Sequence, residues 1–214
     1  MTFNHQQYNQ LFLTNIGPVN GAGGYGVEVL PALVNEGEMY WRVIGVHHLL
    51  PEENMSNHHV YFDVLDEYGN RVRPPAWIGW TWEGRGENEP APPALADKPA
   101  NETATNIAMW RGQRLAVWVQ GNYREANDKS DVVKGLHFEH ADEPLPDGRL
   151  LNTYGHHSFY VVYQWARRGG VPAPIPPITA PPIGEPSVIQ RLTDLEMKVV
   201  DLQAKVKALS KGRR

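Results

Sequence analysis

Residues 58–82 read HHVYFDVLDEYGNRVRPPAWIGWTW. His58–Leu65 alternates at period two, the spacing of a strand that buries one face. Asp66-Glu67-Tyr68-Gly69-Asn70 is a cluster of turn formers. Arg71-Val72-Arg73 begins the return, and Ile78, Trp80 and Trp82 share one face of the run that follows. Two strands joined by a turn are the expected unit.

The same alternation recurs on both sides. Tyr25–Leu30 (YGVEVL) leaves a glycine-rich stretch, GAGGYG, whose glycines permit a bend and cradle no phosphate because no helix is expected after them. Tyr40–Val46 (YWRVIGV), Arg114–Gln120 (RLAVWVQ) and Ser158–Trp165 (SFYVVYQW) complete the clear set. Six or so short strands, little helix signal and Gly/Pro-rich connections predict a mainly β domain, a two-sheet sandwich over 22–168. Two connections, Glu83–Arg111 and Gly121–Pro146, are long enough to be functional or packed on something.

The stretch FDVLDEYGNRV…AWIGWTW resembles the strand–turn–strand pattern of immunoglobulin-like and transthyretin-like modules, in which an Asp-x-x-Gly turn joins two paired strands. The resemblance covers about a tenth of the chain and bears on fold alone. A jelly roll is the alternative sandwich.

With 214 residues and 41% hydrophobic content the chain can bury a sizeable core. It has no cysteine, which excludes disulfides, thiolate metal sites and a cysteine nucleophile together. A net charge of −4 gives no general case for nucleic-acid binding. No apolar run approaches the roughly 18 residues of a membrane span. The N-terminus has no Lys or Arg before Arg42, so a secretory signal is not expected and the chain would be cytoplasmic if it is not viral. Residues 1–21 are rich in Asn and Gln and read as an arm for docking on a neighbour, with Phe3, Tyr8, Leu11, Phe12 and Leu13 as anchors.

After the sandwich comes GGVPAPIPPITAPPIGEP (169–186), in which prolines remove backbone donors and enforce a polyproline-like spacer or strap. The segment 187–214 has no Gly or Pro between Val188 and Ser210. Val188, Leu192, Leu195, Val199, Leu202, Val206 and Leu209 are spaced four, three, four, three, four and three, which is a heptad seam. So short a helix needs self-association for stability. Valine at one core position with leucine at the other favours a dimer. Against that, Arg191-Leu192-Thr193-Asp194-Leu195-Glu196 resembles the short trimerisation motif Arg-apolar-x-x-apolar-Glu. That resemblance implies that Arg191 reaches Glu196 of a neighbouring helix. A parallel homotrimer is expected, with a dimer as runner-up. Seven Lys and Arg against three Asp and Glu in this tail are explained by a solvated helix end.

Histidine is in excess, with pairs at 47–48, 58–59 and 156–157 and the run His137-Phe138-Glu139-His140. Imidazole suits zinc, nickel or iron, with a carboxylate completing the sphere. Adjacent histidines in a strand face opposite ways, so each pair can give one residue to a site drawn from His48, His58, His137, His140 and His156, or their partners. No HxH or HExxH spacing is present, and the alternative has the rings bonding loop backbone at the sandwich rim. No cofactor is expected, a divalent ion at these histidines being the exception. No nucleophile elbow surrounds Ser158, and no enzyme is expected. Among seven tryptophans, Trp80, Trp82 and Trp118 read as core. Trp77 and Trp110, at loop boundaries, are the candidates for stacking on a sugar.

The layout resembles phage and virion appendage or decoration proteins, where three copies of a β domain surround a short stalk. That resemblance implies a non-enzymatic oligomer whose partners are capsid, tail or cell-surface components, or a glycan, located in a virion or released by lysis. A sugar-binding module of a bacterial protein and a metal-dependent enzyme using the histidine-rich rim are the alternatives.

Overall fold

Phe159, Val161, Tyr163 and Trp165 face one way along β12 (Phe159–Arg167), while Tyr160 and Val162 face the other, and all six are buried. A strand so apolar on both sides belongs at the centre of a sheet covered twice. In the computed structural model, which describes residues 3–15, 19–120 and 129–170, β12 is that centre. It runs antiparallel to β3 (Met39–His48) and parallel to β4 (His59–Leu65). β1 (Val19–Asn20) lies parallel to β3 at one edge, and β7 (Thr105–Ala108) lies antiparallel to β4 at the other.

A second five-stranded sheet runs in the order β2 (Glu28–Leu30), β9 (Val132–Leu136), β8 (Leu115–Gln120), β5 (Trp77–Trp82) and β6 (Ala94–Leu95), every pairing antiparallel. Its inward side chains Ile78, Leu115, Val117, Val119, Val133 and Leu136 share one core with Val43, Val60, Phe62, Phe159 and Trp165 of the first sheet. The Tyr163 hydroxyl crosses between sheets to donate to the Val117 carbonyl at 2.9 Å. The chain is therefore mainly β and sandwich-like. A small hairpin, β10 (Glu143–Pro144) with β11 (Leu150–Asn152), stands apart from both sheets.

The turn at 66–70 forms as its residues dictate. Asp66 Oδ1 accepts from the amides of Tyr68 and Asn70 at 2.9 and 2.8 Å, and Gly69 takes a φ of +86°. The return through Arg71–Arg73 is not a strand, since only a bridge between Leu65 and Arg71 forms there, and the expected pairing fails because the next strand, β5, joins the second sheet instead of β4. The two long connections are also not loops throughout: 83–111 contains β6 and β7, and 121–146 contains β9 and β10. These strands are two to five residues long, too short to show an alternation against their polar flanks.

Residues 3–15 give a larger difference. The stretch expected to reach a neighbour is, from His5 to Thr14, a helix α1 seated on the first sheet of its own chain. Asn4 caps it by accepting from the Gln7 amide at 3.2 Å. Phe12 packs with Ile44, Leu49, Leu65, Tyr160 and Val162 in a second core, flanked by Phe3, Tyr8, Leu13 and Tyr61. Four of the five expected anchors are used, and Leu11 faces out. A buried carboxylate holds the helix. Asp63 Oδ2 lies 2.8 Å from His5 Nδ1 and accepts from Asn9 Nδ2 at 2.7 Å, while Oδ1 accepts from the Ala104 amide and pairs with Arg71.

Trp80 and Trp82 pack against the core from its margin, but Trp118 does not. It is half-buried on the outward face of β8, where its ring lies over Gly79. The inward tryptophans are Trp41 and Trp165, with ring centres 4.9 Å apart. No helix among the described residues is long and apolar enough to cross a membrane. The heptad seam and residues 171–186 of the proline-rich stretch lie outside the described residues.

Candidate functional site

One end of the sandwich collects the histidines. β3 ends at His48 there, β12 begins at Phe159 just after His157, and the segment from His137 to Glu143 brings His140 and Glu143 beside both histidines. Register decides which member of each pair enters. His48 is paired with Phe159 in the ladder, on the inward face, whereas His47 is paired with Tyr160 on the outward face. His47 accordingly stacks on Tyr8 of α1 with ring centres 4.2 Å apart, and its Nε2 lies 2.8 Å from Glu53 Oε2. The expectation that adjacent histidines part to opposite faces holds for this pair.

His48 Nε2 lies 3.0 Å from His157 Nδ1, so one ring donates and the other accepts. Both residues are buried. Glu143 sits beside them, and one ligand-type atom from each of the three residues lies within 4.8 Å of the others. The Glu143 carboxylate is fixed from two sides: Oε1 accepts from the Tyr25 hydroxyl at 2.6 Å and Oε2 from Asn152 Nδ2 at 2.8 Å. The Tyr25 ring in turn stacks on His48, with centres 3.7 Å apart and planes 19° from parallel. Behind this layer Asn152 also donates to the Leu49 carbonyl, and its Oδ1 accepts from Asn54 Nδ2 at 2.8 Å, both asparagines being fully buried.

His140 and His137 extend the cluster, their ring centres 4.1 Å apart, and His140 lies 5.3 Å from His157. The Nε2 atoms of His140 and His157 are buried and make no hydrogen bond of full geometry, with a backbone group of His137 near the first ring and of Ala141 near the second.

Electrostatics keep these rings neutral near pH 7. Burial, reinforced by the other histidines and opposed by Glu143, pulls His48 down to about 4. Burial and the neighbouring His137 and His157 take His140 to about 4 as well. His137 and His157 are lowered, in each case chiefly by burial. For Glu143 burial alone would raise the pKa, but the bonds from Tyr25 and Asn152 and the histidine charges outweigh it, so the group is lowered. Neutral imidazoles beside a carboxylate form a donor set for a borderline metal ion.

His48, His137 and His140 thus come together, while His58 and His156 form a neighbouring pair with rings 6.1 Å apart. His58 packs edge-on to Phe138, and His156 Nδ1 lies 2.8 Å from Thr153 Oγ1. Two residues of the cluster escaped individual selection from sequence, His157 and Glu143. Strand parity would have found His157: the inward residues of β12 are odd-numbered, and 157 continues that series past the strand's end. Glu143 closely follows the histidine run in sequence, but its inward placement depends on the Tyr25 and Asn152 contacts, 118 and nine residues away.

Trp110 is 65% exposed just after β7, and Trp77 is 44% exposed on the outward face of β5. On the outer face of the first sheet, a groove of about 1060 Å³ lined by Asn4, Gln7, Tyr8, Leu11, Leu50, Glu52 and Glu53 forms between α1 and the single-turn α2 (Pro51–Asn54).

No family model, no curated protein and no solved structure matches the chain.

Proposed function

We propose that this chain is a non-enzymatic display protein, in which a β-sandwich is carried in three copies by a C-terminal parallel coiled coil and serves as a decoration or fibre component of a virion. The observation that supports it most is the unbroken four–three seam from Val188 to Leu209 following eighteen residues with seven prolines. A seam confined to two positions in seven buries its stripe against copies of itself rather than against a broad domain surface. The sandwich supports the same reading, because its core closes through its own two sheets and α1. Arg191 and Glu196 would set three strands by pairing between neighbours, with dimer formation as the competing state. Display in threes multiplies weak contacts to a capsid, tail or cell-surface partner. An immunoglobulin-like sandwich is the class we propose, with a jelly roll as the alternative; it rests on the two-sheet core alone, because β4 and β5 lie in different sheets and do not pair.

Sedimentation equilibrium of the full chain tests this. The expected mass is three times 24.1 kDa, falling to one copy when Leu195 and Leu202 are both replaced by Asp. A folded single copy at micromolar concentration in the unaltered chain would refute it.

A glycan-binding role is the second reading, favoured by the exposure of Trp110 at the histidine-bearing end and of Trp77 on an outward sheet face. Exposed indoles stack on sugar C–H groups. Loss of glycan-array binding in Trp110→Ala or Trp77→Ala, with melting temperature unchanged, is the result expected from this reading.

A further inference from the structure

We infer that His48, His157 and Glu143 form a site for one divalent ion of the zinc class, which ties the end of β3 to the start of β12 and to the β10–β11 hairpin. The inference stands apart from the display role, since it needs neither the coiled coil nor a partner.

The donor set selects the ion. Two imidazoles and one carboxylate suit zinc, cobalt or nickel, whereas calcium and magnesium require six or more oxygens. The spacing agrees. Two nitrogens bound to one tetrahedral zinc at 2.0–2.1 Å stand about 3.3 Å apart, and His48 Nε2 and His157 Nδ1 are already 3.0 Å apart. Opening that pair by a few tenths of an ångström and turning the rings so that both lone pairs converge on one point admits an ion, with Glu143 in reach of both.

Proton placement favours the bound form. As an N–H···N pair the two rings share one hydrogen, and the Ala141 carbonyl already stands near the fully buried His157 ring. With an ion present, both facing nitrogens give their lone pairs to it. The His157 proton then resides on Nε2, with the Ala141 carbonyl near that ring as its acceptor. Ligating histidines usually hold their second N–H against such a carbonyl. Tyr25 and Asn152 supply the matching support for Glu143, and each of its oxygens retains a lone pair beyond the bond it accepts. His140 presents a further buried nitrogen beside His157.

The test uses the full chain after removal of metal by a chelator. Titration with zinc chloride, followed by calorimetry, is expected to give one equivalent bound and a raised melting temperature that the chelator reverses. Cobalt chloride is expected to give the intense visible absorption of four-coordinate cobalt. His48→Gln and Glu143→Gln should each weaken binding by more than about 100-fold, beyond the 10–100-fold that loss of an outer partner costs. His58→Gln should leave it unchanged. Absence of saturable binding in the unaltered chain, or an affinity in His48→Gln or Glu143→Gln equal to that of the unaltered chain, would overturn the assignment. Should those variants fail to fold, cobalt-induced shifts of histidine ring resonances in the unaltered chain decide: shifts centred on His48 and His157 support the site, and shifts centred on His58 and His156 overturn it.

Discussion

The ring of Phe12 covers Gly45 so closely that a Cβ added to the glycine would fall 2.2 Å from Phe12 Cδ2. α1 thereby sits against bare backbone of β3, at the point where the β3–β12 register shifts between Val162 and Tyr163. Gly45→Ala is expected to destabilise the domain by about 1–3 kcal/mol through overpacking. Chemical denaturation measures this. In the background of Phe12→Ala the same change should cost much less, because the clashing ring is gone. Simple additivity of the two substitutions would show that α1 does not bear on Gly45 in solution.

Asp63 anchors the same helix from beneath and sets an acid response. Burial would raise its pKa, but the His5 bond, the Arg71 charge and the Tyr160 and Asn9 contacts together lower it below 3.8. A carboxyl that titrates lower when folded lets the unfolded chain take up the proton first, so its contribution is complete above about pH 5 and drains as pH falls through 3.8. Asp63→Asn should cost about 3 kcal/mol at pH 7, since it leaves Arg71 uncompensated in a largely buried place. The gap in stability between the parent and Asp63→Asn is expected to narrow steadily from pH 5 to pH 2. A gap that stays constant or widens on acidification would contradict the assignment.

Sheet strands that bury one or two faces over six or more residues were legible, because Val60, Phe62 and Val64 or Leu115, Val117 and Val119 repeat at period two. The helix at 5–14 was not. Its buried face rests on Phe12 and on His5, a polar residue whose burial is compensated by Asp63 fifty-eight positions away. No local pattern encodes that. The histidine cluster was half legible: the excess of imidazole stood out, but its membership follows from β3–β12 register. The bulge in β3 changes which parity faces inward, from Trp41 and Val43 to Val46 and His48. Trp118 shows the same limit, since alternation alone does not say which face of β8 is inside.

Asn152 is the hinge of the rim's polar support. Its Nδ2 serves the Leu49 carbonyl and Glu143, and its Oδ1 serves Asn54, all in a fully buried position. Asn152→Ala strands those partners, each worth about 1–3 kcal/mol when left unpaired. We expect a loss of about 3 kcal/mol by thermal denaturation, accompanied by faster amide exchange in the hairpin 143–152. Asn152→Asp should recover little, because a carboxylate cannot donate to Leu49 or Glu143 and sets a second negative charge beside the latter. Retention of full stability in Asn152→Ala would mean that the hairpin does not depend on this residue.

The tryptophans separate into two thermodynamic groups, and the division is measurable. Trp41 is buried against Trp165 between the sheets, so Trp41→Ala removes a large side chain and leaves a cavity. The expected cost is about 3–5 kcal/mol. Trp110 and Trp77 present much of their rings to solvent, and Trp110→Ala should change stability by no more than about 0.5 kcal/mol. Trp77→Ala should cost slightly more, since over half of its surface is covered. Fluorescence should follow the same order: quenching by acrylamide is expected to lose its most accessible component in Trp110→Ala and to keep it in Trp41→Ala. If Trp110→Ala instead melted as early as Trp41→Ala, the indole would belong to the packing of the domain and could not be free to stack on a ligand.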